Sequence, residues 1–296
     1  MNHICQWVEN PESERGLDLL GQAGTGRSSI AHQIARLFDK KCLGSYVAFL
    51  RTENSKDVVC GLFTALAHDL SVRYSPFKLA LKRAMTGSLS LRGTRDYPRL
   101  FERLLLEPLR DLQFDDTILI IIDGLDESSL TIGKNGLHSF LARRLIELPS
   151  NFRVLITSRP ESVIETAFAN ARSIRTLYMD DAYLAANTRQ DIGLYLQDEL
   201  PKNLFKDHGG KLMEASEGLF QWAAVACRFI SSTSSLGLSD NECVQRLLGH
   251  SRGLSGQGLL DNLYEEVLKE YFKTEESQVL FRSMMGQLFA AMKPLY

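Results

Sequence analysis

The stretch GLDLLGQAGTGRSSIAHQIARLF, Gly16–Phe38, determines the fold of the first half of the chain. It begins with a short apolar run, continues into the glycine-rich loop GQAGTGRSS of Gly21–Ser29, and ends with apolar residues at helical spacing. A strand, a glycine loop and a helix in this order predict a phosphate-binding loop of the pattern G-x-x-x-x-G-K-[ST]. The chain departs from the pattern at one position, because Arg27 stands where the pattern has lysine.

The loop predicts a site for the phosphates of a nucleotide. Glycines allow the backbone to turn tightly and to aim amide groups at phosphate oxygens, and the N-terminus of the following helix adds its dipole. Ser28 stands where a hydroxyl would bind magnesium. The candidate nucleotide-binding residues are Gly21, Gln22, Ala23, Gly24, Thr25, Gly26, Arg27, Ser28 and Ser29. The alternative is a glycine-rich turn between a strand and a helix that binds no ligand.

A second motif, ILIIIDGLDES, spans Ile118–Ser128. Its apolar strand ends at Asp123, which the strand would place at the carboxyl edge of a parallel sheet, beside the glycine loop. We therefore predict Asp123, together with Ser28, as a ligand of Mg²⁺. Asp126 or Glu127 would polarise a water molecule for attack on the γ-phosphate. The alternative is a strand end followed by solvated acids.

The third motif, RVLITSRPE, spans Arg153–Glu161. It is again a buried strand that ends in polar residues, and such residues emerge at the same edge of a parallel sheet. Arg159 would sense the γ-phosphate or stabilise its charge, which makes it the third candidate catalytic residue. Alternatively, Arg159 pairs with a neighbouring acid such as Asp126 or Glu127, and the two roles are compatible.

The distribution of apolar residues predicts two domains. Up to about residue 180, apolar runs alternate with helical segments, which predicts an α/β P-loop NTPase fold with a parallel sheet flanked by helices. Beyond residue 185 helical periodicity dominates. We expect a nucleotide domain over residues 1–183 and an all-α domain over residues 184–296, which would run into the start of a truncated winged-helix module.

Composition excludes several classes of protein. The formal net charge of −2 gives no bulk attraction to nucleic acid or to anionic membranes. No apolar run approaches the roughly 20 residues that span a bilayer, and the N-terminus lacks the pattern of a secretory signal. The five scattered cysteines favour free thiols in a reducing compartment rather than a zinc site or a disulfide framework. We expect a cytoplasmic protein that binds neither nucleic acid nor membrane.

The three motifs in this order resemble the NACHT branch of the STAND signalling NTPases, and in particular its expanded fungal members. The segments ASEGLFQWAAVACRFI of 215–230 and LLDNLYEEVL of 259–268 are similar to helical segments that follow the nucleotide domain in that family. The resemblance implies a switch that binds ATP or ADP with Mg²⁺ and oligomerises, as a homo-oligomer or with related proteins. It also implies slow hydrolysis, and the fungal members are linked to non-self recognition and programmed cell death. The absence of a guanine-reading N-K-x-D motif favours adenine, with GTP as the alternative.

Arg27 weakens the expectation of enzymatic activity. Lysine is a compact charge, whereas arginine is a bulkier planar fork, so the exchange alters geometry even where charge is kept. Losing one positioned transition-state contact typically costs roughly a hundredfold in rate. We therefore expect weakened nucleotide binding and very slow hydrolysis at most, and expect Arg27→Lys to raise affinity. The competing hypothesis is a catalytically silent scaffold or regulator that assembles with full-length relatives; a metabolic phosphotransferase is a weaker third.

Overall fold

A computed structural model describes residues 1–49, 55–86, 96–128, 136–180, 182–233, 239–250, 254 and 256–291. The chain forms two compact units. The first consists of Met1–Gly21 and Arg27–Met179, and the second of Gln22–Gly26 and Asp180–Tyr296. The segments SSTSSLGLS of 231–239 and SRGLSGQG of 251–258 have the composition of linkers, and parts of both lie outside the described residues.

The first unit is built on a five-stranded sheet in the order β2-β3-β4-β1-β5, in which every pair of neighbours is parallel. The strands are β1 (Gly16–Leu20), β2 (Leu43–Ala48), β3 (Ile118–Asp123), β4 (Phe152–Ser158) and β5 (Ile174–Tyr178). All residues of β1, β3 and β4 are buried, as expected for central strands covered on both faces. The predicted parallel α/β fold is confirmed.

Helices cover both faces of this sheet. They are α1 (Asn2–Glu9), α2 (Arg27–Phe38), α3 (Ser55–Arg73), α4 (Ser75–Met85), α5 (Tyr97–Phe101), α6 (Glu107–Leu109), α7 (Leu137–Arg144) and α8 (Ser162–Ala169). The apolar side chains of α1 and α2 pack on one face of the sheet, and those of α3 to α8 pack on the other. Helix α1 has no counterpart among the predicted elements. Pro76, Gly87 and Gly93 predict an irregular or weakly helical segment over residues 75–96, but α4 is a regular helix.

A π-helical turn, Glu102–Leu106, joins α5 to α6. Pro108 lies two residues beyond this turn, in the first turn of α6, and it cannot donate a backbone hydrogen bond, so one bond of a continuous helix would be missing there. Apolar spacing over Tyr97–Leu112 predicts one helix, with Pro108 as the place where it would bend. The structure shows a change of hydrogen-bond register just before it.

The second unit is helical, as predicted for the second half of the chain. Its helices are α9 (Ala182–Glu199), α10 (Lys202–Ala215), α11 (Phe220–Thr233), α12 (Asp240–His250), α13 (Gly256–Tyr271) and α14 (Glu275–Ala291). Trp222, which has no exposed surface, lies in a core formed by side chains of α9 to α13. Within the described part of the chain, no helix is both long and apolar enough to cross a membrane.

Candidate functional site

The carboxylate of Asp123 is the centre of a hydrogen-bond cluster at the carboxyl ends of β2, β3 and β4. Ser28, on the first turn of α2, donates its hydroxyl to Oδ1 of Asp123 over 3.0 Å. The hydroxyl of Thr157, near the end of β4, also donates to Oδ1. Tyr46 on β2 donates its hydroxyl to Oδ2 over 3.1 Å. Three hydroxyl groups therefore hold one carboxylate that is only 5% exposed.

This cluster has the donor chemistry that Mg²⁺ prefers. The ion binds hard oxygen ligands and is usually held by one or two protein groups together with substrate phosphates and water. The Ser28 hydroxyl and the Asp123 carboxylate already contact each other, so both predicted ligands lie in one place. Among the described residues, no group of three or more histidine, cysteine or acidic side chains could hold a metal ion.

Tyr46 is a member of the cluster that the motifs did not indicate. Burial and the neighbouring charge of Asp123 raise the pKa of its phenol to about 12, so the hydroxyl stays protonated and remains a donor. In the sequence, Tyr46 is a residue with a polar atom inside SYVAF, an apolar segment of Ser45–Phe49 that predicts a buried strand. In the structure this strand, β2, pairs with β3, which ends in Asp123. The polar atom of Tyr46 has meaning only once the order of the strands is known.

Gly124 turns the chain out of β3 immediately after Asp123. Its φ of 75° lies in the left-handed region that favours glycine. Its amide donates to the hydroxyl oxygen of Thr157 over 2.9 Å, so Thr157 is a donor to Asp123 and an acceptor from Gly124 at once. The end of β3 is thereby tied to the end of β4, which orients the carboxylate of Asp123.

Asp126 forms a second cluster with two arginines. The backbone amide of Arg159 donates to Oδ1 of Asp126 over 3.0 Å, and its Nε lies 3.1 Å from Oδ2. Nη1 of Arg27 lies 3.8 Å from Oδ1. The side chain of Asp126 is 5% exposed, against 14% for Arg27 and 42% for Arg159. The structure therefore shows the pairing of Arg159 with an acid that the sequence left open.

The environment of Arg27 differs from that of an exposed arginine. Burial lowers the pKa of its guanidinium, an effect that the charge of Asp126 opposes.

Glu127, the other acid considered for activating water, lies in a 3₁₀ turn, Leu125–Ser128. Within the residues that the structure describes, its carboxylate forms no hydrogen bond or ion pair. The catalytic roles of Asp126, Glu127 and Arg159 stay predictions.

The glycine loop has the backbone conformations that its sequence predicted. Gly24 and Gly26 have φ values of 82° and 94°, which a residue with a side chain rarely adopts. Both the amide and the hydroxyl of Thr25 donate to the carbonyl oxygen of Gln22, which closes a tight turn. Gln22–Gly26, Ala23 included, belong to the second compact unit. Gly21 lies in the first unit, and Ser29 is exposed on α2.

Asp18 is a buried acid of β1 that the motifs also did not indicate. It has no exposed surface, and the hydroxyl of Ser158 donates to its Oδ1 over 3.4 Å. Its Oδ2 is buried without a hydrogen-bond partner. Burial raises the pKa of this carboxyl to about 7, against the opposing effects of the Ser158 hydrogen bond and the charge of Arg27. Asp18 therefore titrates near neutral pH.

Residues 1–159, more than half of the chain, match the family model described as nephrocystin 3, N-terminal. The match includes every candidate site residue and ends at Arg159. No curated protein matches the chain.

Two solved structures are similar to this chain at low identity. One is described as Drosophila ORC bound to DNA, with 17% identity over 98% of this chain and 65% of that one, and a TM-score of 0.44. The other is the Pyrococcus furiosus Hef helicase domain, with 14% identity over 91% of this chain and 66% of that one, and a TM-score of 0.28. The chain thus spans about two thirds of the length of each of these two proteins.

Proposed function

The chain belongs to the nephrocystin 3 N-terminal family, and on this premise we propose that it binds a nucleoside di- or triphosphate with Mg²⁺ and acts as a nucleotide-dependent switch. Nephrocystin 3 is a NACHT-related protein, which agrees with the resemblance of the three sequence motifs to that branch. ATP and ADP are the proposed nucleotides, with GTP as the alternative. A role in non-self recognition or programmed cell death stays a prediction from the sequence resemblance, as does the cytoplasmic location.

The observation that carries this proposal is the contact between Ser28 and Asp123. A hydroxyl on the first turn of the helix after a glycine loop meets the carboxylate at the end of a buried strand, 95 positions later in the sequence. The two alternatives, a glycine turn without a ligand and a strand end followed by solvated acids, do not require Ser28 and Asp123 to be in contact. Their oxygens would hold the magnesium ion, which would neutralise phosphate charge when bound.

Hydrolysis by such a site would be slow. Arg27 occupies the position of the lysine that normally reaches the phosphates, and its guanidinium lies near Asp126. Asp126 is engaged by Arg159 through both carboxylate oxygens, so Glu127 is the better candidate for polarising a water molecule. We propose a binding and switching role in which turnover is at most a slow reset.

The second candidate is a catalytically silent scaffold that assembles with related proteins. The same engagement of Asp126 favours it, because carboxylate oxygens that contact two arginines are not free to bind a water molecule. The two candidates differ in whether the nucleotide changes assembly. Size-exclusion chromatography with light scattering, in ATP and in ADP, separates them: a switch changes mass between the two nucleotides, and a scaffold does not.

The direct test is calorimetric titration of the purified chain with ADP and ATP, with Mg²⁺ and with EDTA. We expect binding that Mg²⁺ strengthens, and we expect Ser28→Ala to remove most of that strengthening. Ser29→Ala is the matched control, because Ser29 is the next residue of the same helix and is exposed. Absence of binding at millimolar nucleotide would refute the proposed function. Equal Mg²⁺ dependence in both variants would refute the role of Ser28.

A further inference from the structure

We propose that Asp126 is a positioning residue that restrains Arg27, so that its carboxylate competes with nucleotide phosphate for the Arg27 guanidinium. The inference rests on the proposed function and adds a determinant of affinity to it. It assigns to Asp126 a role different from activation of water.

Asp126 holds Arg159 closely and Arg27 loosely. Arg159 contacts both oxygens of the carboxylate: its backbone amide donates a hydrogen bond to Oδ1 over 3.0 Å, and its Nε forms an ion pair with Oδ2 at 3.1 Å without hydrogen-bond geometry. The Nη1 of Arg27 is 3.8 Å from Oδ1, which is beyond the usual hydrogen-bond distance. The contact to Arg159 is the stronger one, since a backbone amide cannot move away without a change in the chain.

The loose contact leaves Arg27 available to a better acceptor. Its Nη1 is buried and has no hydrogen-bond partner. A buried donor without a partner is costly, and a phosphate oxygen would supply a short, charge-assisted hydrogen bond. Asp126 attracts Arg27 through charge without satisfying this donor. When the Arg27 guanidinium moves from Asp126 to phosphate, it gives up an ion pair without a hydrogen bond and gains an ion pair with one.

Among the neighbouring acids, Asp126 attracts the Arg27 guanidinium most strongly and therefore opposes its movement to phosphate most strongly. Asp123, Asp126 and Glu127 all attract Arg27, and Asp126 has the largest effect of the three. Arg159 repels it. Asp18 also lies within electrostatic range. Without the negative charge of Asp126, the positive charges of Arg27 and Arg159 would be less neutralised. Both guanidinium groups would then bind phosphate more strongly.

Asp126→Asn is the variant that separates the two roles of this acid. Asparagine keeps the size of the side chain and a carbonyl oxygen that can accept from the Arg159 amide, but it removes the charge. We expect ADP and ATP to bind about tenfold more tightly, as is typical for close charge pairs at a binding site. Glu161→Gln is the charge-matched control: this exposed acid lies two residues beyond Arg159, and we expect less than a twofold change.

The experiment is calorimetric titration of each variant with ADP and with ATP, both with Mg²⁺, after circular dichroism has shown that each is folded. In the Arg27→Met background, Asp126→Asn should tighten binding much less than it does beside Arg27, because only the Arg159 guanidinium, which Asp126 also contacts, is then left to gain phosphate affinity. Asp126→Ser provides a second neutral side chain should the asparagine variant not fold.

Two results would overturn the inference while leaving the proposed function intact. One is a wild-type chain that binds nucleotide as tightly as Asp126→Asn. The other is equal tightening in Asp126→Asn and in the Glu161→Gln control. Loss of hydrolysis at unchanged affinity would assign Asp126 to water activation instead. Failure of every variant, wild type included, to bind millimolar nucleotide would overturn the proposed function and this inference together.

Discussion

Substitution of Asp18 by asparagine should stabilise the first unit most at neutral and alkaline pH, less at pH 5, and hardly at all below the ordinary pKa of the carboxyl. Asp18 lies on β1 between β4 and β5, without exposed surface, and one of its oxygens has no hydrogen-bond partner. A charged carboxylate is costly in such a place. Asparagine has the same shape and carries no charge, so it resembles the protonated acid.

The magnitude follows from the pKa of this carboxyl, which burial raises from its ordinary 3.8 to about 7. Between these values the folded chain keeps a proton that the unfolded chain has lost, so stability falls as pH rises and then stays level above pH 7. A tenfold change in a protonation equilibrium corresponds to about 1.4 kcal/mol, so the full loss is about 4 kcal/mol. We expect Asp18→Asn to recover at least half of it at pH 8.

Urea denaturation at pH 5 and pH 8 tests this expectation. Hydrogen exchange of peptides that cover β1 and β4 reports the first unit specifically. The control is Asp115→Asn, at an exposed position before β3, which should leave the free energy of unfolding unchanged at both pH values. A stabilisation by Asp18→Asn that is the same at pH 5 and pH 8, or that is absent at both, would refute the argument that the ionised carboxylate is the cost.

Two further predictions concern stability. Arg153 is 1% exposed and donates to the backbone carbonyls of residues 150, 152, 10 and 11. Lysine cannot reproduce this fork, so Arg153→Lys should lower the free energy of unfolding by about 2–4 kcal/mol in urea denaturation. The same exchange at exposed Arg175 should have no measurable effect, and equal losses would contradict the prediction. Tyr46→Phe removes one donor to Asp123 and should cost about 1–2 kcal/mol in the same assay; no loss would show that water replaces the phenol.

Much of the candidate site could be predicted from the order of residues along the chain. A strand that is apolar throughout and ends in an acid has few architectures available to it, since both of its faces must be buried. The positions of Asp123 and Arg159 at strand ends followed from that pattern. The glycines predicted a tight turn between a strand and a helix, and the positive φ angles of Gly24 and Gly26 agree with that expectation.

Other features could not be predicted, because they depend on which strands are neighbours. Tyr46 reaches Asp123 only because β2 lies beside β3, and nothing in SYVAF specifies that pairing. The pattern GLDLL indicated a buried strand at Asp18. It did not reveal that Ser158, on the neighbouring strand β4, would be the only hydrogen-bond partner observed for this carboxyl among the described residues.

The sequence by itself determined that the chain alternates strands and helices and then becomes helical, and which polar side chains follow each strand. Hydrophobic periodicity is a local property, so it can be read without knowing the fold. The tertiary structure alone decided that Asp126 pairs with Arg159 closely and with Arg27 at longer range. Those contacts join the ends of β3 and β4 to the start of α2, and electrostatic attraction depends on distances of a few ångströms that sequence spacing does not specify.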